Sequence, residues 1–332
     1  MTPVADSAVR ELVERVCSGD VRALARAISL VENDAPEAAE VLSGCFPHTG
    51  DALRIGVTGW PGAGKSTLVD KLARGYRAAG TRVGIVAVDP SSPFTGGAIL
   101  GDRIRMQERI GDDGLYVRSM ATRGSLGGLA RATADVTQVI EASGKDVVLI
   151  ETVGVGQDEI DIVRLADVTV VVLMPGMGDD VQSIKAGIME IADIFVINKS
   201  DREGADRVEK EVLAMQSLAG KHDLRVTPIV RTIATTGEGI EDLRSAVEQM
   251  KAWLAEEGRL ETRRKAYWRE RIEEMVRQAL LREAGAHGLS AEDLSEHAER
   301  IADGQEDPYR LVPRLVAQVF RHEAGAARGT KP

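Results

Sequence analysis

The sequence predicts an α/β protein with a mostly parallel central sheet and helical extensions at both ends. Seven short runs rich in Val and Ile alternate with stretches of helical periodicity between about residues 53 and 233. Runs such as VTVVVLM are apolar almost without interruption, as expected of strands buried on both faces of a parallel sheet. The predicted strands cover residues 54–58, 82–89, 115–120, 146–151, 168–174, 194–198 and 225–231.

Helical periodicity on both sides of this region predicts the domain organisation. We expect residues 1–50 to form an N-terminal helical extension, 51–237 the α/β domain and 238–332 a C-terminal helical region. Within the last region, the run EGRLETRRKAYWRERIEEM is heavily charged yet has helical spacing. Such a pattern favours a solvated helix or one that needs a partner over a helix buried within a single chain.

The composition limits the classes of partner. Lys plus Arg number 42 against 52 Asp plus Glu, and the resulting net charge of -10 argues against a nucleic-acid partner, which needs a basic surface. The first residues have neither a basic start nor an apolar segment, so we expect no signal peptide. The longest apolar run, residues 168–174, is too short to span a bilayer. A cytoplasmic protein without a membrane partner is expected.

The segment GWPGAGKS at residues 59–66, called the phosphate loop below, fits the pattern GxxxxGK[ST] in full. It follows a predicted strand and opens a predicted helix, which is the context of the P-loop NTPase fold. In such loops backbone amides converge on phosphate oxygens, the lysine reaches the β- and γ-phosphates and the hydroxyl can bind Mg²⁺. We expect the lysine to face solvent and ligand. The residues expected to contact phosphate are Gly62, Ala63, Gly64, Lys65, Ser66 and Thr67.

The segment NKSD at residues 198–201, called the base loop below, fits the NKxD pattern that reads guanine. Guanine presents an N1–H and an N2 amine, and the carboxylate of Asp201 can accept from both. Adenine lacks that arrangement and would leave the carboxylate without donors, so GTP or GDP is the expected nucleotide. Asn198 and the stem of Lys199 are expected to hold the loop and cover the base. A later loop at Ala234 and Thr235 is the expected last contact with the base.

Acidic residues near strand ends are the candidate Mg²⁺ and catalytic residues. The predicted strand 146–151 ends in Glu151, followed by Gly154, where GTPases of the Ras type carry an acid near Mg²⁺ and a glycine at the γ-phosphate. Val155 stands where a water-positioning Gln is usual, which predicts slow hydrolysis. Asp89 ends another predicted strand and Asp102 begins the helix after a Gly-rich loop, so both could face the metal; Asp102 could also serve as a helix cap.

The order of these motifs resembles the MeaB family of bacterial GTPases. The resemblance rests on GWPGAGKST, VAVDPSSPFTGGAILGDRIRM, MATRGSLGGLA, ETVGVGQDEIDI and PGMGDDVQSIKAGIMEIADIFVINKSD, and it extends over nearly the whole chain. It implies a homodimer formed through the C-terminal helices. It also implies a chaperone that binds a cobalamin-dependent acyl-CoA mutase, gates adenosylcobalamin loading and guards against inactivated cofactor.

The same resemblance assigns roles to individual residues. Lys65, Ser66, Asp89, Asp102 and Glu151 match the family's phosphate and Mg²⁺ positions. The loop at residues 176–185 matches its third switch, with Asp179 and Lys185 as the coupling residues, and we expect Lys185 to supply charge during hydrolysis.

Three other functions stay open at this point. A protein kinase would need an ATP donor, which the base loop disfavours. A nickel metallochaperone would need soft or imidazole ligands, for which Cys45 and His48 in CFPH are the only suggestive cluster. A scaffold could bind GTP without hydrolysing it. The sequence also leaves open which acyl-CoA mutase is the partner.

Overall fold

A seven-stranded parallel sheet forms the centre of the computed structural model, which describes residues 3–89, 112–121, 128–152, 164–176, 191–218, 226–286 and 289–326. The strand order is β3-β2-β4-β1-β5-β6-β7, and each neighbouring pair runs parallel. The carboxyl ends of all the strands therefore lie along one edge. The strands are β1 Leu53–Gly59, β2 Val83–Asp89, β3 Leu115–Ala121, β4 Val147–Glu151, β5 Val168–Leu173, β6 Ile194–Asn198 and β7 Ile229–Thr232.

Helices precede, connect and follow these strands. Two short 3₁₀ helices, Phe46–His48 and Glu256–Gly258, lie at the transitions into and out of the sheet region. Within the described ranges the α-helices are α1 Pro3–Cys17, α2 Val21–Glu32, α3 Ala38–Cys45, α4 Lys65–Ala78, α5 Gly128–Ala142, α6 Ala205–Leu218, α7 Ile240–Ala255, α8 Arg259–Ala286, α9 Ala291–Ala302 and α10 Pro308–Ala326.

The predicted α/β fold is confirmed, and the strand predictions differ from the structure mainly at one edge. Every residue of β1, β4, β5 and β6 is buried, as the uninterrupted apolar runs indicated. The last strand was predicted from residue 225 but begins only at Ile229. Pro228 directly precedes it and has no amide hydrogen to give to a ladder, although its carbonyl accepts from the Phe195 amide at 2.9 Å.

Alternate residues of β5 and β6 belong to two apolar cores on opposite faces of the sheet. On one face, Val170 and Val172 of β5 belong to a core shared with α4 and α7. On the other, Val171 and Leu173 belong to a core shared with α6. The apolar residues of α7 that recur at helical spacing are all buried: Ile240, Leu243, Val247, Met250 and Leu254.

Three aspartates form an acidic border at the amino edge of the sheet, opposite the carboxyl ends. Each directly precedes a strand, and its carboxylate accepts the backbone amide of a residue at the start of a neighbouring strand. These bonds satisfy amides that the parallel ladder leaves without a partner at its end. The pairs are Asp146 with the Arg82 amide at 2.7 Å, Asp167 with the Arg54 amide at 3.0 Å and Asp193 with the Thr169 amide at 2.8 Å.

The chain divides by its internal contacts into two compact units, Met1–Glu261 and Thr262–Pro332. The division at residues 50 and 237 stays a prediction. Within the first unit, α7 packs on α4, where the Tyr76 hydroxyl donates to Glu248 at 3.1 Å. Within the second unit, Nδ1 of His297 on α9 lies 2.6 Å from Oε2 of Glu306, which precedes α10. Among the described helices, none has the length and apolar character needed to cross a bilayer.

Candidate nucleotide-binding site

The phosphate loop connects β1 to α4 and bends tightly around its own backbone. Gly59 has φ +137, and a Cβ there would lie 2.1 Å from the carbonyl oxygen of Val172 on the neighbouring strand. Gly64 has φ +89, and a Cβ there would lie 2.5 Å from Nδ2 of Asn198. Both positions therefore require glycine on two grounds, the left-handed backbone and the close neighbour.

Lys65 lies inside this loop rather than on its surface. Its Nζ donates to the carbonyl oxygens of Gly59 at 2.7 Å and Trp60 at 3.1 Å. Only 6% of the residue is exposed, so the expectation of a solvent-facing lysine was wrong. The curled main chain supplies the acceptors that a buried ammonium needs, and it holds the charge at the N-terminus of α4.

Ser66 and Glu151 join α4 to the end of β4. The Ser66 hydroxyl donates to Oε1 of Glu151 at 2.5 Å, and the Glu151 residue is 7% exposed. A hydroxyl that donates its proton to a carboxylate keeps its oxygen lone pairs for a metal, and Mg²⁺ prefers such oxygen ligands. Over the parts of the chain that the structure describes, no group of three or more His, Cys, Asp or Glu could hold a metal. Phosphate oxygens, water and acidic residues outside the described ranges, such as Asp102, are the other candidate ligands of a Mg²⁺ ion at this pair.

Asn198 connects the base loop to two other loops. Its Nδ2 donates to the carbonyl oxygen of Ala63 in the phosphate loop at 2.7 Å. Its Oδ1 accepts from the Thr232 hydroxyl at 3.1 Å and from the Ala234 amide at 3.0 Å. Asn198 is 2% exposed, so water competes little for these hydrogen bonds. One side chain thus fixes the positions of the base loop, the phosphate loop and the loop after β7.

Lys199 makes a second connection between the base loop and the phosphate loop. Its Nζ donates to the carbonyl oxygen of Gly62 at 2.7 Å. Its backbone has φ +56, which is unusual for a residue with a side chain. Asp201 follows on an exposed part of the same loop. Together the contacts of Asn198 and Lys199 bring the base loop next to the phosphate loop.

The family model described as "Methylmalonyl Co-A mutase-associated GTPase MeaB" matches residues 24–288. The chain belongs to the MeaB family. This match covers the sheet, the phosphate loop and the base loop, as well as α3 and most of α2.

Individual relatives agree with the family assignment. A Pyrococcus abyssi protein named as a candidate GTPase is 47% identical over 315 residues, which cover 94% of this chain and 97% of that protein. The mitochondrial methylmalonic aciduria type A homolog of Mus musculus is 34% identical over 268 residues, covering 80% of this chain and 65% of that one. A crystal structure described as a LAO/AO transport system kinase is similar with a TM-score of 0.69 and 26% identity, over 96% of this chain and 99% of that one.

The structure brings together part of the set of residues predicted for the site of this MeaB protein. Glu151 is joined to the phosphate loop through Ser66, and Ala234 is joined to it through Asn198. Thr235 is exposed beside Ala234, and Thr67 lies in the first turn of α4. Asp89 ends β2, one of the two strands next to β4, but its side chain lies outside the described residues. Asp102, Gly154, Asp179 and Lys185 also lie outside the described residues.

Two features of the site had no counterpart in the sequence predictions. Thr152 directly follows Glu151, and its hydroxyl donates to that of Thr58, the residue before the phosphate loop, at 2.9 Å. Met174 follows β5, and its Sδ lies 3.7 Å from Nζ of Lys199. The hydrogen bond between Thr152 and Thr58 left a signal in the sequence, because Thr58 is a polar residue near the end of an otherwise apolar strand. Met174 gave none, because a methionine after an apolar run is typical of a core.

Proposed function

We propose that this MeaB-family chain is a Mg²⁺-dependent GTP-hydrolysing chaperone for a cobalamin-dependent acyl-CoA mutase of the methylmalonyl-CoA mutase type. In this role it gates adenosylcobalamin loading and protects the mutase from inactivated cofactor. The observation that carries the nucleotide part is the double connection of the base loop to the phosphate loop, through Asn198 to Ala63 and Lys199 to Gly62. The family description carries the mutase part.

The residues of the chain divide the work of binding GTP between them. Backbone amides of the phosphate loop and the ammonium of Lys65, which the loop carbonyls hold at the N-terminus of α4, would contact phosphate oxygens. Asp201 accepts from guanine N1–H and N2, while Asn198 fixes the loop that carries it. Ser66 and Glu151 would hold Mg²⁺, which when bound supplies positive charge to the phosphate oxygens. The assignment of Asp89, Asp102 and Gly154 to the same site stays part of this proposal.

Hydrolysis by the isolated protein should be slow, because Val155 takes the usual place of a water-positioning Gln. We propose that contact with the mutase orders the segment at residues 176–185 and brings Lys185 to the γ-phosphate, with Asp179 positioning the segment. One fixed donor of this kind is typically worth about 10²–10³ in rate.

The test combines turnover, binding and cofactor transfer. Purified protein is mixed with Mg²⁺ and GTP or ATP, with and without apo methylmalonyl-CoA mutase, and released phosphate is measured. We expect slow turnover of GTP, none of ATP and acceleration by the mutase that Lys185→Ala abolishes. Adenosylcobalamin loading of the mutase, followed by its absorbance, should depend on whether GTP or GDP is present. Mutase that neither binds the protein nor changes its turnover would contradict the chaperone role.

The rival functions make different predictions. A kinase, as the similar crystal structure is described, would transfer phosphate to a protein acceptor rather than to water. A nickel chaperone would need accessible thiol or imidazole ligands. Cys45, its best candidate, is fully buried, and burial raises the pKa of its thiol to about 12, while His48 is exposed. These properties disfavour a metal site at Cys45 and His48, and a nickel titration would check it.

We also propose that the chain forms a homodimer, and the support for this comes from exposed apolar side chains in the second unit. On α8, the side chains of Ile272, Met275, Val276 and Leu280 recur at helical spacing, and each is about half exposed within the single chain. Apolar side chains on α10, Tyr309, Val312 and Val316, are also exposed. A second copy of the chain is the proposed cover for these faces, because exposed apolar stripes of this kind mark association surfaces.

A further inference from the structure

Met174 lies one residue beyond β5, at the carboxyl edge of the sheet. On one side β5 pairs with β1, with Val172 opposite Gly59 at the start of the phosphate loop. On the other side β5 pairs with β6, with Leu173 opposite Ile197 just before the base loop. Met174 therefore stands between the two loops that bind the opposite ends of a nucleotide in the proposed function.

The side chain of Met174 contacts the base loop and lies close to the phosphate loop. Its Sδ accepts from Nζ of Lys199 at 3.7 Å, and the same Nζ donates to the carbonyl oxygen of Gly62 at 2.7 Å. A Cβ built on Gly62 would lie 4.0 Å from Cε of Met174, so the end of the Met174 side chain lies close to the phosphate loop. The ammonium of Lys199 is thus held from two directions, by a carbonyl of the phosphate loop and by a thioether.

The position of Met174 is itself fixed by packing. Met174 is partly buried, and among the described residues it alone packs against both apolar cores of the sheet. The next residue, Pro175, is buried, and its Cβ lies 3.8 Å from the Cβ position of Gly204, near the end of the turn after β6. Lys199 needs such an anchor, because its backbone lies in the left-handed region that is costly for a residue with a side chain.

We propose that Met174 is a positioning residue for the guanine nucleotide. It holds the ammonium of Lys199 on Gly62, and so keeps the stem of Lys199 where it covers the base. The inference rests on the proposed function, since it assumes that the two loops bind one nucleotide. A thioether suits this task, because it is polarizable and fills space yet accepts only weakly, so it constrains the lysine without neutralising it.

The proposal predicts faster release of nucleotide when the sulfur is removed. Met174→Leu keeps an apolar side chain and loses the acceptor, so dissociation of a fluorescent GDP analogue should speed up about two- to fivefold, the range expected for one weak hydrogen bond. Met174→Gln keeps the length and supplies an amide oxygen as acceptor, so it should release GDP at nearly the rate of the unchanged protein. Met215→Leu is the matched control, because Met215 packs half-buried against the same core on α6.

A double-mutant cycle separates positioning from packing. In a Lys199→Ala background, Met174→Leu should have no further effect on GDP release, because its target is gone. The same acceleration with and without Lys199, or release from Met174→Gln as fast as from Met174→Leu, would overturn the assignment. Equal rates of GDP release for Met174→Leu and the unchanged protein would also overturn the assignment, while the proposed GDP binding would still stand. An unchanged protein that binds no GDP at all would instead contradict the proposed function.

Discussion

Thr152 and Thr58 share a hydrogen bond between two hydroxyl groups that are almost completely buried. Thr58 precedes the phosphate loop and Thr152 follows Glu151, so the bond joins the two segments that would hold phosphate and Mg²⁺. The Thr152 amide also donates to the carbonyl oxygen of Val57 at 3.0 Å. The end of β4 is therefore fastened to β1 both through the backbone and through a side chain.

Thr152→Val should destabilise the fold by about 1–3 kcal/mol, because it leaves the buried Thr58 hydroxyl without its donor. Urea unfolding without nucleotide measures this. Thr137→Val is the matched control, since the Thr137 hydroxyl is buried and has no hydrogen-bond partner among the described residues. We expect that control to keep or raise stability. Equal losses in the two variants would mean that the Thr152 bond contributes nothing.

Asp201→Asn should weaken GTP about 10- to 100-fold and improve xanthosine triphosphate, because the new amide can donate to the C2 carbonyl of xanthine. Equilibrium titration with both nucleotides measures the exchange of preference. Glu203→Gln serves as the control, because it removes an exposed carboxylate two residues away. Unchanged GTP affinity in Asp201→Asn would remove this residue from the base site.

Lys65→Ala should lose most of the affinity for triphosphate, since it removes the charged donor nearest the proposed phosphates. The variant should still fold, with stability lower by about 1 kcal/mol, because the Gly59 and Trp60 carbonyls lose a donor but can recruit water. Titration with GTP and circular dichroism measure the two effects. Lys71→Ala, on the same helix, should change neither, and a Lys65→Ala chain that cannot fold would point to a purely structural lysine.

Asp146→Asn should reduce the sensitivity of stability to acid. The bidentate hydrogen bond from Arg82 holds the pKa of the Asp146 carboxyl below its ordinary value of about 4. A carboxyl with a lowered folded-state pKa stabilises the protein above the unfolded value, and that contribution disappears as the pH falls through and below about 4. Urea midpoints should therefore fall less steeply in the variant between about pH 5 and 3. Parallel profiles for the two proteins would contradict the linkage.

Val276→Glu should convert a dimer into a monomer, because it places a charge in the centre of the exposed apolar stripe of α8. Light scattering at micromolar concentration measures the mass. Leu281→Glu is the control: Leu281 is also exposed, but the 3.6-residue period places it on the side of the helix opposite Ile272. Unchanged protein that is already monomeric would contradict the proposed dimer.

The sequence predicted what depends on neighbouring residues. The seven strands were recognisable because buried parallel strands are continuous runs such as Val168–Leu173. The phosphate loop and base loop were recognisable because each is a short motif at a strand end. The sequence could not predict that Asn198 bonds to Ala63, 135 positions away, although it placed both residues in one site.

Features that depend on the folded path of the chain could not be predicted from the sequence. The burial of Lys65 depends on how the loop curls around its ammonium, which no residue type encodes alone. The acidic border of Asp146, Asp167 and Asp193 follows a visible pattern, an aspartate directly before a Val- or Ile-rich strand. Its meaning emerges only when the strand order is known, because each carboxylate serves a different strand from its own.

The strand order also determines when each strand can pair with its neighbours during synthesis on the ribosome. β1 leaves the ribosome early, yet both of its neighbours in the sheet come much later. Thr58 waits for Thr152, 94 positions on, and Arg54 waits for Asp167, 113 positions on. At about 5–20 residues per second, the strand that carries the phosphate loop spends roughly 5–20 s without either of its neighbouring strands. The nascent chain therefore cannot hold nucleotide during that interval, and it depends on chaperones or on its own early helices to avoid aggregation.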